Sequence, residues 1–238
     1  RLGLNEPLAT TQILGRDRIA ELVAWGSNLA TSLEKFTLEV RNLQRSDIGE
    51  VAEAFNKKKQ VGSSTMAQKK NPITSENIGG LARVVRSMIY TTYENNLQWH
   101  ERDLANSSAE RFTLSHASAL CEDVMAKTRQ VMSTMWVDAE RCMENIKSQR
   151  GLVMAEKVMI DLVDHGISRD EAHEILREAS FAAVANKEEL IDVCSRTPAI
   201  AAAFSAEELE AMFEPANHIG VAGEIVDEAV ALARDAIQ

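Results

Sequence analysis

Apolar and small residues recur early in the chain in alternating steps of four and three: Leu22, Gly26, Leu29, Leu33, Phe36, Val40 and Leu43. A period of about 3.5 residues predicts a long helix with one persistent seam, running from about Gln12 to Leu43. At about 1.5 Å per residue it reaches ~45 Å. A second seam, Leu114, Ala117, Cys121, Val124, Thr128, Val131 and Met135, predicts another long helix. Between them lies a weaker run, Ile78, Leu81, Val85, Met88 and Thr92, preceded by Asn71-Pro72. Asn at the cap with Pro at the first helical position is a helix start. Gly79-Gly80 weakens that helix and admits close backbone packing.

From Arg45 to Lys70 the periodicity disappears. Lys57-Lys58-Lys59 is followed by Val61-Gly62-Ser63-Ser64-Thr65, polar and glycine-containing, which predicts an exposed loop over about 57–72. After Val137 the pattern shortens again. Asp138 opens one helix and Gly166 closes the next; Ser168 with Glu171 and Ser205 with Glu208 have capping-box spacing, and Pro198 and Pro215 punctuate the rest. The expected fold is therefore all-α: a long-helix bundle over 1–137 and a small helical domain over 138–238. Three long apolar seams predict partners for the bundle, from sequence outside this chain or from other subunits.

Composition narrows the function classes. Alanine, leucine, glutamate and methionine favour helix over sheet. The formal charge of -10 argues against nucleic acid as a partner, so a small anionic substrate requires a locally basic pocket. No apolar run approaches the ~20 residues of a membrane span, and no signal peptide is visible. Cys121, Cys142 and Cys194 are scattered and odd in number, with neither metal spacing nor a disulfide framework. That pattern fits a reducing cytosol, hence a cytoplasmic protein. The chain opens at Arg1 without a Met, which reads as a fragment.

The segment Gly62-Ser63-Ser64-Thr65-Met66-Ala67-Gln68-Lys69-Lys70-Asn71-Pro72 sets two hydroxyls and two lysines just before a helix N-terminus. Backbone N–H groups and cations placed so can hold a carboxylate or phosphate, although a polar turn with a helix cap has the same composition. It resembles the signature loop of the fumarase/aspartase superfamily, G-S-S-x-M-P-x-K-x-N-P. Ala67 stands where that pattern has proline, which leaves the loop less stiff. Trp99-His100-Glu101-Arg102-Asp103-Leu104, with Ser107-Ser108-Ala109-Glu110-Arg111, resembles the W-H-E-R-D-[LI]-x-x-S-S-x-E-R segment of the adenylosuccinate lyase family. Thr10-Thr11-Gln12 with Arg16-Asp17-Arg18 is similar to that family's T-Q-x-x-x-R-D-R, and Pro215 to Gly220 is similar to its C-terminal domain, less specifically.

The resemblance implies the C-terminal half of a lyase that releases fumarate from succinylated purine-pathway nucleotides, with no metal and no organic cofactor. It implies a homotetramer whose active sites combine segments from three subunits. By motif position Ser63 resembles the general base, with Ser64 as the competing candidate. Lys69 fits the role of stabilising the serine alkoxide, and the resemblance implies that it also binds the fumaryl carboxylate. Asn71 and Gln12 contact substrate. Glu76 pairs with a catalytic histidine of another segment, and Arg102, Ser107 and Arg111 contact the nucleotide. Each has a plainer reading: Asn71 as an N-cap, Glu76 as a charge complementing the helix dipole, Gln12 as a solvated residue, and Arg102 paired with Asp103 or Glu110. Asn77 stands where some relatives have arginine. The acid histidine of the family lies upstream of the matched segments; His116 and His173 read as ordinary helix residues. Argininosuccinate lyase and carboxymuconate cycloisomerase share the loop but explain Trp99–Arg111 less well. A catalytically inert helical assembly module is the rival of a different class.

Overall fold

The computed structural model describes residues 5–54, 66, 69–100 and 102–237. Ten α-helices dominate the described residues, joined by one minimal pair of strands. The chain forms two compact units, Arg1–Cys142 and Met143–Gln238.

The first unit is built on three long helices: α1 (Asp17–Leu43), α2 (Ile73–Glu94) and α3 (Ala105–Thr134). Cross-contacts fix their directions. The Gln44 side chain reaches the Lys70 carbonyl, and Arg86 pairs with Glu34 at 2.6 Å, so α2 runs back along α1. Arg16 meets Glu110 and the Cys121 thiol meets the Gly26 carbonyl, so α3 runs parallel to α1. One end of the bundle thus holds the end of α1, the start of α2 and the end of α3. There β1 (Val51–Ala52) pairs antiparallel with β2 (Trp136–Val137). The Arg141 guanidinium donates to the Ile48 and Asp47 carbonyls at 2.8 and 3.2 Å, which secures the same corner.

The seam expected on α3 is the buried one: Ala117, Cys121, Val124, Thr128 and Val131 all face inward. On α1 the buried face lies one residue away from the expected seam. Ala20, Val23, Ser27, Ala30 and Thr37 are buried with Gly26 and Val40, whereas Leu22 is half exposed and Leu29, Leu33 and Phe36 are partly buried. The cause is steric. Small side chains let helix axes approach closely, and Ser27 Oγ comes within 3.4 Å of the Val85 carbonyl on α2. Gly79 plays the same part on α2, since a Cβ there would sit 3.3 Å from Glu34 Oε1. Helix α1 begins at Asp17 rather than Gln12, with an acidic residue in its first turn and Arg41 in its last, both matched to the helix dipole.

The second unit packs α5 (Ala155–Asp164), α6 (Arg169–Asn186), α7 (Leu190–Arg196), α8 (Pro198–Ala203) and α9 (Ala206–Phe213) around Val158, Leu162, Leu176, Leu190, Ile200 and Phe204. Ahead of them α4 (Ala139–Ser148) is capped by Asp138, which accepts from the Arg141 N–H at 3.0 Å. Ser168 accepts from the Glu171 N–H, half of the expected capping box; Ser205 and Glu208 form the full reciprocal box. The hydrogen bonds from Ser205 hold the Glu208 carboxyl below its usual range. Helix α10 (Ala222–Ile237) buries none of its residues. Burial pushes the Cys194 thiol up to about 11, and all three cysteines are free.

Gly151 offers a direct test of this core. Its φ is +76°, and a Cβ there would lie 2.8 Å from the Phe213 ring. Gly151→Ala is expected to cost about 1–3 kcal/mol from backbone strain and overpacking together. A lower urea midpoint at unchanged slope reads that loss. Gly223→Ala in α10 meets nothing within 4 Å and is expected to be neutral or stabilising.

Candidate active site

At the corner made by the end of α1, β1 and the start of α2 lies a cavity of about 900 Å³. Arg41, Arg45, Lys69, Lys70, Asn71 and Glu76 are among its lining residues. Among the described lining residues four cations stand against one carboxylate, a locally positive site in a chain of formal charge -10. Lys69 is exposed, Asn71 and Arg41 are half-buried, and Glu76 is exposed on the first turn of α2. A carboxylate or phosphate entering here meets ammonium and guanidinium donors at once. Ser63 and Ser64 lie outside the described residues, as does Ala67.

The start of α2 differs from the sequence expectation. Asn71 is not its cap and Pro72 is not its first residue. The helix begins at Ile73, with Pro72 in the capping position and no side-chain cap from it. Its open N–H groups are taken instead by Glu53, from the segment after β1. Thr74 N–H donates to Glu53 Oε1 at 3.0 Å, and Ser75 N–H and Oγ donate to Oε2 at 3.0 and 2.9 Å. Glu53 is 6% exposed. Its carboxylate tolerates burial because backbone donors at a positive helix terminus replace its water. No local pattern marks Glu53, because its partners are more than 20 residues downstream.

The other expected site residues stand at the far end of the bundle. Gln12 is exposed just before α1. Ser107 is on the first turn of α3, and Arg111 follows one turn later, exposed. Asp103 shapes this end: it accepts from Trp99 N–H at 3.0 Å and Ala105 N–H at 2.9 Å, and those bonds hold its carboxyl below the usual range. Glu110 is engaged by Arg16 at 2.6 Å and by the Asn106 amide at 3.2 Å. Arg102 therefore pairs with neither Asp103 nor Glu110. Among the described residues Arg102 and Arg111 make no ion pair. His116 Nδ1 contacts the Phe112 carbonyl of its own helix at 2.8 Å.

The loop-end residues Lys69, Asn71 and Glu76 are thus separated from Gln12, Ser107 and Arg111 by the length of α1. Its 27 residues span about 40 Å. One copy of the chain does not bring the two groups together. Among the described residues no cluster of His, Cys, Asp and Glu could hold a metal ion, and no helix is long and apolar enough to cross a membrane.

Residues 2–87 match a family model described as Lyase, and residues 151–229 match one described as Adenylosuccinate lyase C-terminus. The adenylosuccinate lyase of Archaeoglobus fulgidus is 42% identical over 229 residues, 96% of this chain and 51% of that protein. That of Methanothermobacter thermautotrophicus is 41% identical over 95% of this chain and 50% of that protein. The chain belongs to the adenylosuccinate lyase family. It spans about half the length of the curated relatives it matches. Among solved structures, the 3-carboxy-cis,cis-muconate lactonizing enzyme from Pseudomonas putida superposes with a TM-score of 0.80 at 32% identity, over 91% of this chain and 47% of that one. A fumarate lyase from Mesorhizobium superposes with a TM-score of 0.81 at 27% identity, over the same shares. The all-α fold of this adenylosuccinate lyase family member is therefore that of the fumarase/aspartase superfamily.

Proposed function

We propose that the protein containing this chain is an adenylosuccinate lyase, cleaving adenylosuccinate to AMP and fumarate and acting likewise on the succinylated aminoimidazole carboxamide ribotide. The observation that carries the reading is 42% identity to an adenylosuccinate lyase across 96% of the chain. The cationic cavity beside Lys69 and Asn71 suits the chemistry. The base removes the proton from the carbon beside a carboxylate, and the electron pair is held as an aci-carboxylate. It then forms the C=C bond of fumarate as the C–N bond breaks, and an acid protonates the departing nitrogen. Ser63 is the base in this reading, with Ser64 ordering the loop. Lys69 and the cations around it stabilise the growing negative charge. Asn71 and Gln12 bind substrate, and Glu76 orients the histidine of another segment. Arg102, Ser107 and Arg111 take the nucleotide, two guanidiniums being suited to its phosphate.

Because the two groups of residues are about 40 Å apart in one chain, a complete site requires more than one copy. A cytoplasmic homotetramer with shared sites meets that need. Turnover of adenylosuccinate by the whole protein tests the reading. The structural likeness to the muconate lactonizing enzyme supports a second one, a carboxymuconate cycloisomerase. Turnover of 3-carboxy-cis,cis-muconate without turnover of adenylosuccinate would select it. Within the lyase reading, Arg111→Ala is expected to raise KM about 10- to 100-fold and leave kcat nearly unchanged, since a ground-state phosphate contact is uniform binding. An unchanged KM with a collapsed kcat would assign Arg111 to the chemical step instead.

A further inference from the structure

We propose that Glu53 and Gln44 are positioning residues for the active site, holding Lys69 and Asn71 in place by tying the start of α2 to β1 and to the end of α1. The inference rests on the lyase reading of this corner and deepens it.

A helix start is ordinarily capped by its own N-cap side chain. Pro72 cannot do this, and Glu53 supplies both carboxylate oxygens to three donors on Thr74 and Ser75. The cap is therefore also a crosslink between two segments more than 20 residues apart in sequence. Gln44 adds a second one. Its Oε1 accepts from the Glu53 N–H at 2.9 Å and its Nε2 donates to the Lys70 carbonyl at 3.2 Å. One amide thus fixes the backbone of Glu53 and the backbone between Lys69 and Asn71. Gln44 shares the cavity wall with Lys69, Asn71 and Glu76, whereas Glu53 does not line it and acts through α2. Cations that stabilise developing charge must be placed to a fraction of an ångström, and a 1 Å error costs about 100-fold in rate.

The test is made in the whole protein with adenylosuccinate as substrate. Glu53→Gln keeps the shape of the side chain but turns one acceptor into a donor facing an N–H. It is expected to lower kcat per folded protein about 100-fold. Gln44→Met keeps length, removes both bonds and, lying on the cavity wall, leaves the core intact. It is expected to lower kcat about 10-fold. Val85→Ala, buried in the middle of α2, weakens the same helix by packing alone and is expected to keep kcat within about twofold. Hydrogen exchange at the Thr74 and Ser75 amides is expected to accelerate in Glu53→Gln and not in Val85→Ala. Unchanged kcat in both Glu53→Gln and Gln44→Met overturns the proposal. So does an equal loss of kcat in Val85→Ala at matched melting temperature, or unchanged amide protection in Glu53→Gln. A parent protein that does not turn over adenylosuccinate sinks the lyase reading instead, and the exchange measurement then decides whether the tie exists.

Discussion

Ser63→Ala in the whole protein is expected to lower kcat by about 10²- to 10⁴-fold, the contribution of a positioned general base. KM and assembly should stay near those of the parent. A serine hydroxyl is too weak an acid to be ionised at neutral pH. Its alkoxide must be stabilised by N–H donors and by an ammonium, for which Lys69 stands six residues further on beside the cationic cavity. The base takes part only in the proton-transfer transition state, so kcat and kcat/KM should fall together. Ser64→Ala should do much less, because its hydroxyl is assigned to loop order. Near-normal kcat in Ser63→Ala with a collapse in Ser64→Ala would move the base by one residue. Full activity in both would make the loop a bystander and bring the inert assembly module forward.

A mixture of two crippled proteins is expected to work better than either. Ser63→Ala removes a group six residues before Lys69 in sequence, and Lys69 lines the cavity at one end of the bundle. Arg111→Ala removes one at the other end, about 40 Å from Lys69 along α1. If each site draws its loop and its phosphate contacts from different copies, an oligomer holding both variants contains some sites with neither defect. Co-refolded Ser63→Ala and Arg111→Ala, assayed below KM, should exceed the sum of the two alone several-fold. Mixed oligomers that gain nothing over that sum would mean that each site uses both groups from the same copy.

Much of the fold was legible because hydrophobic period reports on burial when the core-facing residues are large. On α3 the expected stripe from Ala117 to Val131 is the buried one. On α1 the same reasoning followed Leu22, Leu29 and Leu33, while the face turned toward α2 and α3 is the one carrying Ala20, Ser27 and Ala30. Small residues weigh little in a hydrophobic pattern and much in close packing. The cap of α2 was misread for a different reason. Asn71-Pro72 has the local form of a helix start, but the groups that need capping are Thr74 and Ser75, and Glu53 reaches them across the fold. No window of sequence contains that contact. The motif made Lys69, Asn71, Glu76, Gln12, Ser107 and Arg111 visible as candidates. Their division between two ends of the bundle follows from helix direction, which only the cross-contacts of the three helices establish.

The offset on α1 bears on how such a sequence can drift. Toward α2 and α3 its face carries glycine, alanine, serine and threonine between Val23 and Val40, and room is short there: a Cβ on Gly26 would already stand 3.1 Å from the Cys121 sulfur. Flanking and beyond that face, Leu22, Trp25 and Leu38 are half exposed or more within the chain. Descendants can exchange bulky residues for one another there at little internal cost. Substitution should therefore be slow and limited in volume on the first face, and faster but conservative in character on the second. Two mutational clocks would run on one helix, out of phase by a single residue.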